Sequence, residues 1–193
     1  MKKTSLFVCL FVCLFVCLFV CCASTGVKPE KTSDGFVKEF DEVTQKTTYT
    51  QKDFYFERSN DLYNLYNGLG LISVETGNFN TYIRISDNSK SLAVNCDYAA
   101  SDWLFVKEFV IYAGNLRLQK ELKRYDTQVL KSGIREHCSC TLSDADIGLL
   151  KQICNNEEVK ICFIGNKSRS EVWTVKAKMK NALLGTIEKY NSL

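Results

Sequence analysis

The chain has 193 residues, 46% of them hydrophobic and 24% charged, so it is long enough to form one domain with a sizeable core. It carries 25 basic and 22 acidic residues, and leaving out Lys2 and Lys3 reduces the basic count to 23. Such a balance excludes the strongly basic surface that a nucleic-acid partner requires, and it gives little attraction to anionic lipid.

Close behind Lys2 and Lys3, after a Thr-Ser pair, comes an apolar segment from Leu6 in which Leu-Phe-Val-Cys is repeated. A short basic start, an uncharged run and small polar residues behind it are typical of a secretory signal peptide. Residues 19–22, Phe-Val-Cys-Cys, resemble a bacterial lipobox, whose cysteine becomes the lipidated first residue of the mature chain. We therefore predict a lipoprotein-type signal peptide at 1–22 with lipidation of Cys22, and Cys21 as the alternative site.

Two alternatives for this segment stay open. Ordinary cleavage after Ala23 would release a soluble periplasmic or secreted protein. An uncleaved helix is the second alternative, because 18 apolar residues span roughly 27 Å, just enough to cross a bilayer. The favoured prediction is an envelope protein attached to a bacterial membrane through its N-terminal lipid.

Downstream, residues 23–35 are small, polar or charged, which predicts a tether, and 36–193 form a single globular domain. β-Branched and aromatic residues predict strands in the first two thirds of this domain, at 47–50, 54–56, 71–75, 82–86, 92–98, 103–112, 116–118 and 134–141. Residues 103–112 are apolar on both faces apart from Lys107 and Glu108, which predicts a strand in the centre of a sheet.

Helices are predicted late in the chain. Ser143 and Asp146 have the spacing of a capping box, which predicts a short helix near 144–154. A strand at 159–164 and a turn at 165–170 follow, and Thr174 is the predicted cap of a C-terminal helix near 175–190. Early strands and late helices predict the α+β class, with a mainly antiparallel sheet or sandwich.

The segments "FDEVTQKTTY" at 40–49, "DYAASDWLFVKEFVIYAGN" at 97–115, "GIREH" at 133–137 and "VKICFIGN" at 159–166 form a familiar arrangement. It resembles a domain of unknown function found in small exported bacterial proteins and lipoproteins. In that domain a D-E-x(n)-T-x-Y opening precedes an A-x-D-W-L-F strand and a later strand that ends F-x-G. The resemblance covers about residues 36–190 and implies export and a β-rich fold, with no implied reaction.

Candidate chemistry in the domain is sparse. The only histidine, His137, shares a polar strand face with Arg135 and Ser139, which predicts a solvated surface residue, and Cys138 points to the opposite face. Five cysteines remain outside the leader, and they are Cys96, Cys138, Cys140, Cys154 and Cys162. Their spacing lacks a zinc knuckle, so we expect buried thiols or one disulfide, such as Cys140 with Cys154, and no metal or other cofactor.

Glu136 is the most unusual residue, because strand alternation places it between Ile134 and Cys138 on the apolar side. A carboxylate there needs a partner. Lys107 occupies a comparable place between two phenylalanines, so we consider a structural ion pair of Glu136 with Lys107. Exposure of both residues at a sheet margin is the alternative.

A loop rich in Asn, Gly and Tyr, at 59–70, offers Tyr63 and Tyr66 as a candidate contact surface for an unknown envelope or protein partner. No catalytic motif is present, so the first hypothesis is a non-catalytic binding or structural domain. The alternative is an exported hydrolase that uses carboxylates brought together by folding.

Overall fold

The structure, a computed structural model, describes residues 29–51, 76–87, 89–130 and 133–193. Its strands pair antiparallel throughout the described chain and form two sheets. The strands are β1 (Glu30–Lys31), β2 (Phe36–Asp41), β3 (Lys46–Gln51), β4 (Thr76–Ser86), β5 (Ser89–Ala100), β6 (Glu108–Ala113), β7 (Leu116–Glu121), β8 (Lys123–Leu130), β9 (Gly133–Leu142), β10 (Lys160–Ile164) and β11 (Trp173–Thr174). The helices are α1 (Asp144–Cys154) and α2 (Ala177–Ser192). The predicted α+β class with mainly antiparallel sheets is confirmed.

The larger sheet has seven strands in the order β1-β2-β3-β4-β5-β9-β8. Its apolar face follows from strict alternation along the central strands. In β5 the four alternate residues of one face are all buried, and they are Leu92, Val94, Cys96 and Tyr98. The opposite face carries Asn95 and Asp97, and we call this side of the seven-stranded sheet the polar face.

The smaller sheet has four strands in the order β11-β10-β6-β7, and it packs on the apolar face of the larger one. The two sheets meet where Phe79 of β4 contacts Phe109 of β6 edge to face, with ring centroids 5.0 Å apart. Gly77 of β4 allows this close approach, because a Cβ at that position would lie 2.7–2.9 Å from the rings of Trp173 and Phe163.

The predicted capping box starts α1. The Ser143 side chain accepts a hydrogen bond from the backbone N–H of Asp146, and the Asp146 carboxylate accepts from the backbone N–H of Ser143. Lys120 of β7 also donates to Asp146, at 2.8 Å, and so ties the small sheet to the helix. Burial raises the pKa of Asp146, but the hydrogen bonds from Lys120 and Ser143 outweigh it, and the net pKa lies below its usual value.

Three predictions of secondary structure need correction. The strand expected over 103–112 begins only at Glu108, because the backbone of residues 103–107 turns away at Phe105, where φ is +56°. Strand β8 was not predicted, since most of its residues are polar, residues 123–129 are exposed, and the segment lacks apolar alternation. Thr174 lies in β11 and does not cap α2, which begins at Ala177 after a Lys176 without a side-chain cap.

The end of the predicted tether takes part in the fold. β1 pairs with β2, and the Asp34 carboxylate lies 2.7 Å from Lys189 of α2. The predicted strands at 54–56 and 71–75, the leader and residues 23–28 of the tether lie outside the described residues.

Two glycines provide a matched test of the packing. We expect Gly77→Ala to lower the free energy of unfolding by about 1–3 kcal/mol, because the added methyl overlaps two rings of the small sheet. Gly148→Ala, at an exposed position in α1 with open space around it, should instead stabilise by about 0.5–1 kcal/mol. Urea unfolding of both variants measures the difference, and equal effects of the two would contradict the sheet contact.

Candidate functional site

Glu136 is fully buried in β9, and the backbone of residues 103–107 surrounds its carboxylate. Oε1 accepts hydrogen bonds from the N–H groups of Leu104 and Phe105, each at 2.9 Å. Oε2 accepts from the N–H of Val106 at 2.8 Å. Three successive backbone donors aimed at one anion resemble the concave anion sites that form where φ changes sign along the chain.

The cation beside Glu136 is Arg124 of β8, whose Nη1 lies 3.5 Å from Oε2. This corrects the expected pairing, since Lys107 is exposed and is not among the contacts of Glu136 in the described chain. The expected pairing assumed a regular strand, in which Lys107 shares a face with Phe105 and Phe109. The turn at Phe105 breaks this alternation. The same turn leaves Phe105 42% exposed while Phe109 is fully buried.

We call residues 103–107 the strap. Its outer side is also fixed, because the Phe105 ring stacks on Trp103 with centroids 5.6 Å apart and Arg124 lies over the same ring. Both oxygens of Glu136 are occupied by backbone donors, and such charge-assisted bonds are worth about 1.5–3 kcal/mol each. Glu136 therefore holds the strap and is not positioned to act on a ligand.

Glu136→Gln should lower the free energy of unfolding by about 2–4 kcal/mol. The glutamine amide keeps only one acceptor oxygen. Its NH2 group must therefore face at least one backbone N–H that now donates to Glu136, and two donors cannot bond to each other. Urea unfolding and amide hydrogen exchange at 104–106 measure the effect, with the exposed Glu39→Gln as control. Unchanged exchange protection at these three amides would contradict the assignment.

His137, next in β9, points to the polar face as predicted, but it is not a free surface residue. Its Nδ1 lies 2.6 Å from Oδ1 of Asp97, its cross-strand neighbour in β5. Asn78 of β4 donates to the other Asp97 oxygen at 3.4 Å, and the His137 side chain is only 16% exposed. The sequence alone did not predict this pair, because it depends on the pairing of β5 with β9. Of its two members, His137 had been assigned to a polar strand face.

Tyr125 adds an aromatic ring to this cluster. The pairing of β8 with β9 shifts between Arg124 and Asp126, which leaves Tyr125 without a partner residue in the ladder. Such irregularities re-aim side chains, and the Tyr125 ring lies 5.9 Å from the His137 ring. Burial raises the pKa of the Tyr125 phenol, and the nearby Asp97 and Tyr82 add to the effect.

Tyr82 lines an open groove of about 660 Å³ where the polar face meets the junction of β7 and β8. Its remaining lining residues are Arg84, Ala93, Gln119, Lys120, Glu121, Leu122, Lys123, Ser139, Cys140 and Thr141. Most of these side chains donate or accept hydrogen bonds, and three of them are cationic while one is a carboxylate. The groove is therefore polar and carries a positive formal charge.

The five body cysteines are free thiols, and four of them are buried. Burial raises the pKa of Cys138 and of Cys154 to about 12, and that of the half-buried Cys140 to about 11. Protonated thiols are weak nucleophiles and poor metal ligands. In the described part of the chain, no three His, Cys, Asp or Glu side chains converge as they would around a metal ion.

These thiols predict a loss of stability at alkaline pH. A thiol in the unfolded chain ionises near its ordinary pKa of 9.0, while the folded thiols stay protonated to higher pH. The buried, protonated thiols contribute fully to the free energy of unfolding below pH 9. This contribution decreases as the pH rises from there toward 12, by about 1.4 kcal/mol per pH unit for each thiol.

Urea unfolding at a series of pH values above 9 measures this slope in the wild type and in Cys154→Ala. We expect the variant to be less stable throughout but to have a shallower slope, since one ionising thiol is gone. The same slope in both proteins would contradict the burial of a protonated Cys154.

Four predicted functional residues lie outside the described chain. They are the lipidation candidates Cys22 and Cys21 and the contact-loop residues Tyr63 and Tyr66. Among the residues that are described, neither helix has the length and hydrophobicity needed to cross a bilayer.

No family model, no curated protein and no solved structure matches this chain. The resemblance to the exported domain of unknown function therefore stays a sequence-based prediction. The candidate functional site is defined by the geometry of the polar face, with the Asp97–His137 pair and the adjoining groove.

Proposed function

We propose that this chain is an exported bacterial lipoprotein, attached to a membrane through Cys22, whose globular domain binds a small polar ligand without transforming it. The observation that carries the binding role is the groove on the polar face. Its volume of about 660 Å³ falls in the range of small-molecule sites, and its walls carry hydrogen-bonding side chains from several strands.

Unpaired polar atoms also lie elsewhere on the polar face, at two residues that do not line the groove. Oδ1 of Asn78 and Nε of Arg135 are buried and have no hydrogen-bond partner in the described structure. A buried polar atom without a partner costs about 1–3 kcal/mol, so this face gains if a ligand or ordered water supplies the missing bonds. Rigid strands also position these groups better than loops would.

The export and anchoring part of the proposal is supported by the sequence of residues 1–22 alone. The loop with Tyr63 and Tyr66 remains our candidate for contact with an envelope partner, separate from the ligand groove. A membrane-bound receptor or carrier for a small molecule would combine both features.

The alternative is a hydrolase, and the Asp97–His137 pair is the observation that favours it. A carboxylate at Nδ1 orients an imidazole so that Nε2 can accept a proton from water. The carboxylate hypothesis itself has less support, because Glu121 is the one carboxylate that lines the groove and Glu136 is fully engaged by the strap. Binding is therefore the function we favour.

The anchoring proposal is tested by expressing the full chain and measuring the mass and membrane partition of the mature protein. We expect it to begin at Cys22 and carry lipid, to remain lipidated in Cys21→Ala, and to lose lipid in Cys22→Ala. Recovery of the intact chain from the cytosol, still beginning at Met1, would contradict the proposal.

The binding role is tested by native mass spectrometry of protein purified from its own cells. A retained small molecule should be lost in Ser139→Trp, which fills the groove, and kept in Lys178→Trp, an exposed position on α2. Retention in both variants would remove the groove from the function. Ester hydrolysis that disappears in His137→Gln would favour the hydrolase.

A further inference from the structure

The groove has charges at its two ends and neutral polar groups between them. Arg84 lies on β4, while Lys123 lies on β8, three strands away across the sheet. The pairing registers also place Arg84 four residues further along the strands than Lys123, since Arg84 is opposite Ser91 and Lys123 is in the row of Asn95 and Ser139. Ideal sheet spacings then separate the two Cα atoms by on the order of 20 Å.

Among the described residues, no carboxylate forms an ion pair with the cations at these ends. Lys120, the third cation of the groove, is paired with Asp146 at 2.8 Å. Arg84 and Lys123 make no ion pair in the described part of the chain, and Glu121 is the one carboxylate among the lining residues. Two positive charges are therefore available to a ligand.

Arg84 is also held in place before any ligand arrives. Its Nη2 donates to the hydroxyl of Tyr82 at 3.0 Å, and the guanidinium lies 5.3 Å from the centre of the Tyr82 ring. A guanidinium fixed in this way loses little freedom on binding and presents its remaining N–H donors as a fork that suits a carboxylate.

The middle of the groove is neutral and polar. Ser139 and Thr141 offer hydroxyl groups, each able both to donate and to accept. Gln119 adds an amide whose oxygen accepts from Arg117 at 3.0 Å and whose nitrogen donates to Glu108, so its second N–H is the donor left for a ligand. Ala93, which is opposite Thr141 in the pairing of β5 with β9, is a small and buried lining residue. Groups that donate and accept together suit a ligand whose middle carries hydroxyl groups.

From this arrangement we infer that the groove binds an acidic oligosaccharide, with sugar hydroxyl groups on Ser139, Thr141 and Gln119 and carboxylates on Arg84 and Lys123. The inference rests on the proposed binding function and adds the chemical class of the ligand. An extended ligand suits this arrangement, because the two cations stand on residues whose Cα atoms are on the order of 20 Å apart.

Titration calorimetry of the full-length protein in neutral detergent tests the inference, with trigalacturonic acid as the probe and uncharged maltotriose as its control. We expect trigalacturonic acid to bind about tenfold or more tightly than maltotriose, and its affinity to fall about tenfold in Arg84→Ala and in Lys123→Ala. Lys151→Ala, which removes an exposed charge on α1, should bind as the wild type does. Thermal unfolding confirms that each variant is folded.

Equal binding of the two trisaccharides, or unchanged affinity in both groove variants, would overturn the inference. Binding to vesicles of anionic phospholipid that is lost in the same two variants, without trisaccharide binding, would overturn it in favour of a lipid-facing surface. The proposed binding function would survive either result if the groove-filling Ser139→Trp still displaced a small molecule retained from the cells, so the two failures are distinguishable.

Discussion

The buried carboxylate of Glu136 is the contact on which the arrangement of the two sheets depends. The chain leaves the seven-stranded sheet at the end of β5 and enters the four-stranded sheet at β6, and the strap is the only covalent path between those strands. Glu136 belongs to the first sheet and accepts the three central N–H groups of the strap. The strap also bonds to Ile164 of β10 and to Leu122 before β8, so one side chain aligns elements of both sheets.

Strand β9 brings the fold and the candidate site together through simple alternation. Ile134, Glu136 and Cys138 face the core, while Arg135, His137 and Ser139 face the polar side. Adjacent residues of a strand point in opposite directions. Glu136, which holds the strap, and His137, which lies on the polar face, are therefore neighbours in the chain. The rigidity imposed on one side is thus transmitted to the other.

Local patterns in the sequence were sufficient for much of the fold. The buried side of β5 followed from alternation, and the start of α1 followed from Ser143 and Asp146, because both depend on neighbours within a few residues. The strap could not be predicted, since its left-handed Phe105 is stabilised by a carboxylate about thirty residues away in sequence.

The candidate site was harder to predict for the same reason. Asp97 and His137 are forty residues apart, and only the pairing of β5 with β9 makes them neighbours. The groove is lined by residues of five strands, β4, β5, β7, β8 and β9, and of the turn between β7 and β8. No short sequence motif could therefore predict it. The strand β8 that carries Lys123 and Tyr125 gave no signal either, because an edge strand in contact with water needs no apolar alternation.

That outermost position of β8 has a consequence for the behaviour of the protein in concentrated solution. A sheet margin with free backbone groups invites intermolecular pairing, and natural proteins discourage it with charges and irregular spacing. Here Lys123, Arg124 and Asp126 surround the unpaired Tyr125, which interrupts the regular row of donors and acceptors. Tyr125, whose ring lies beside His137, therefore also disfavours fibril growth from the β8 edge of the sheet.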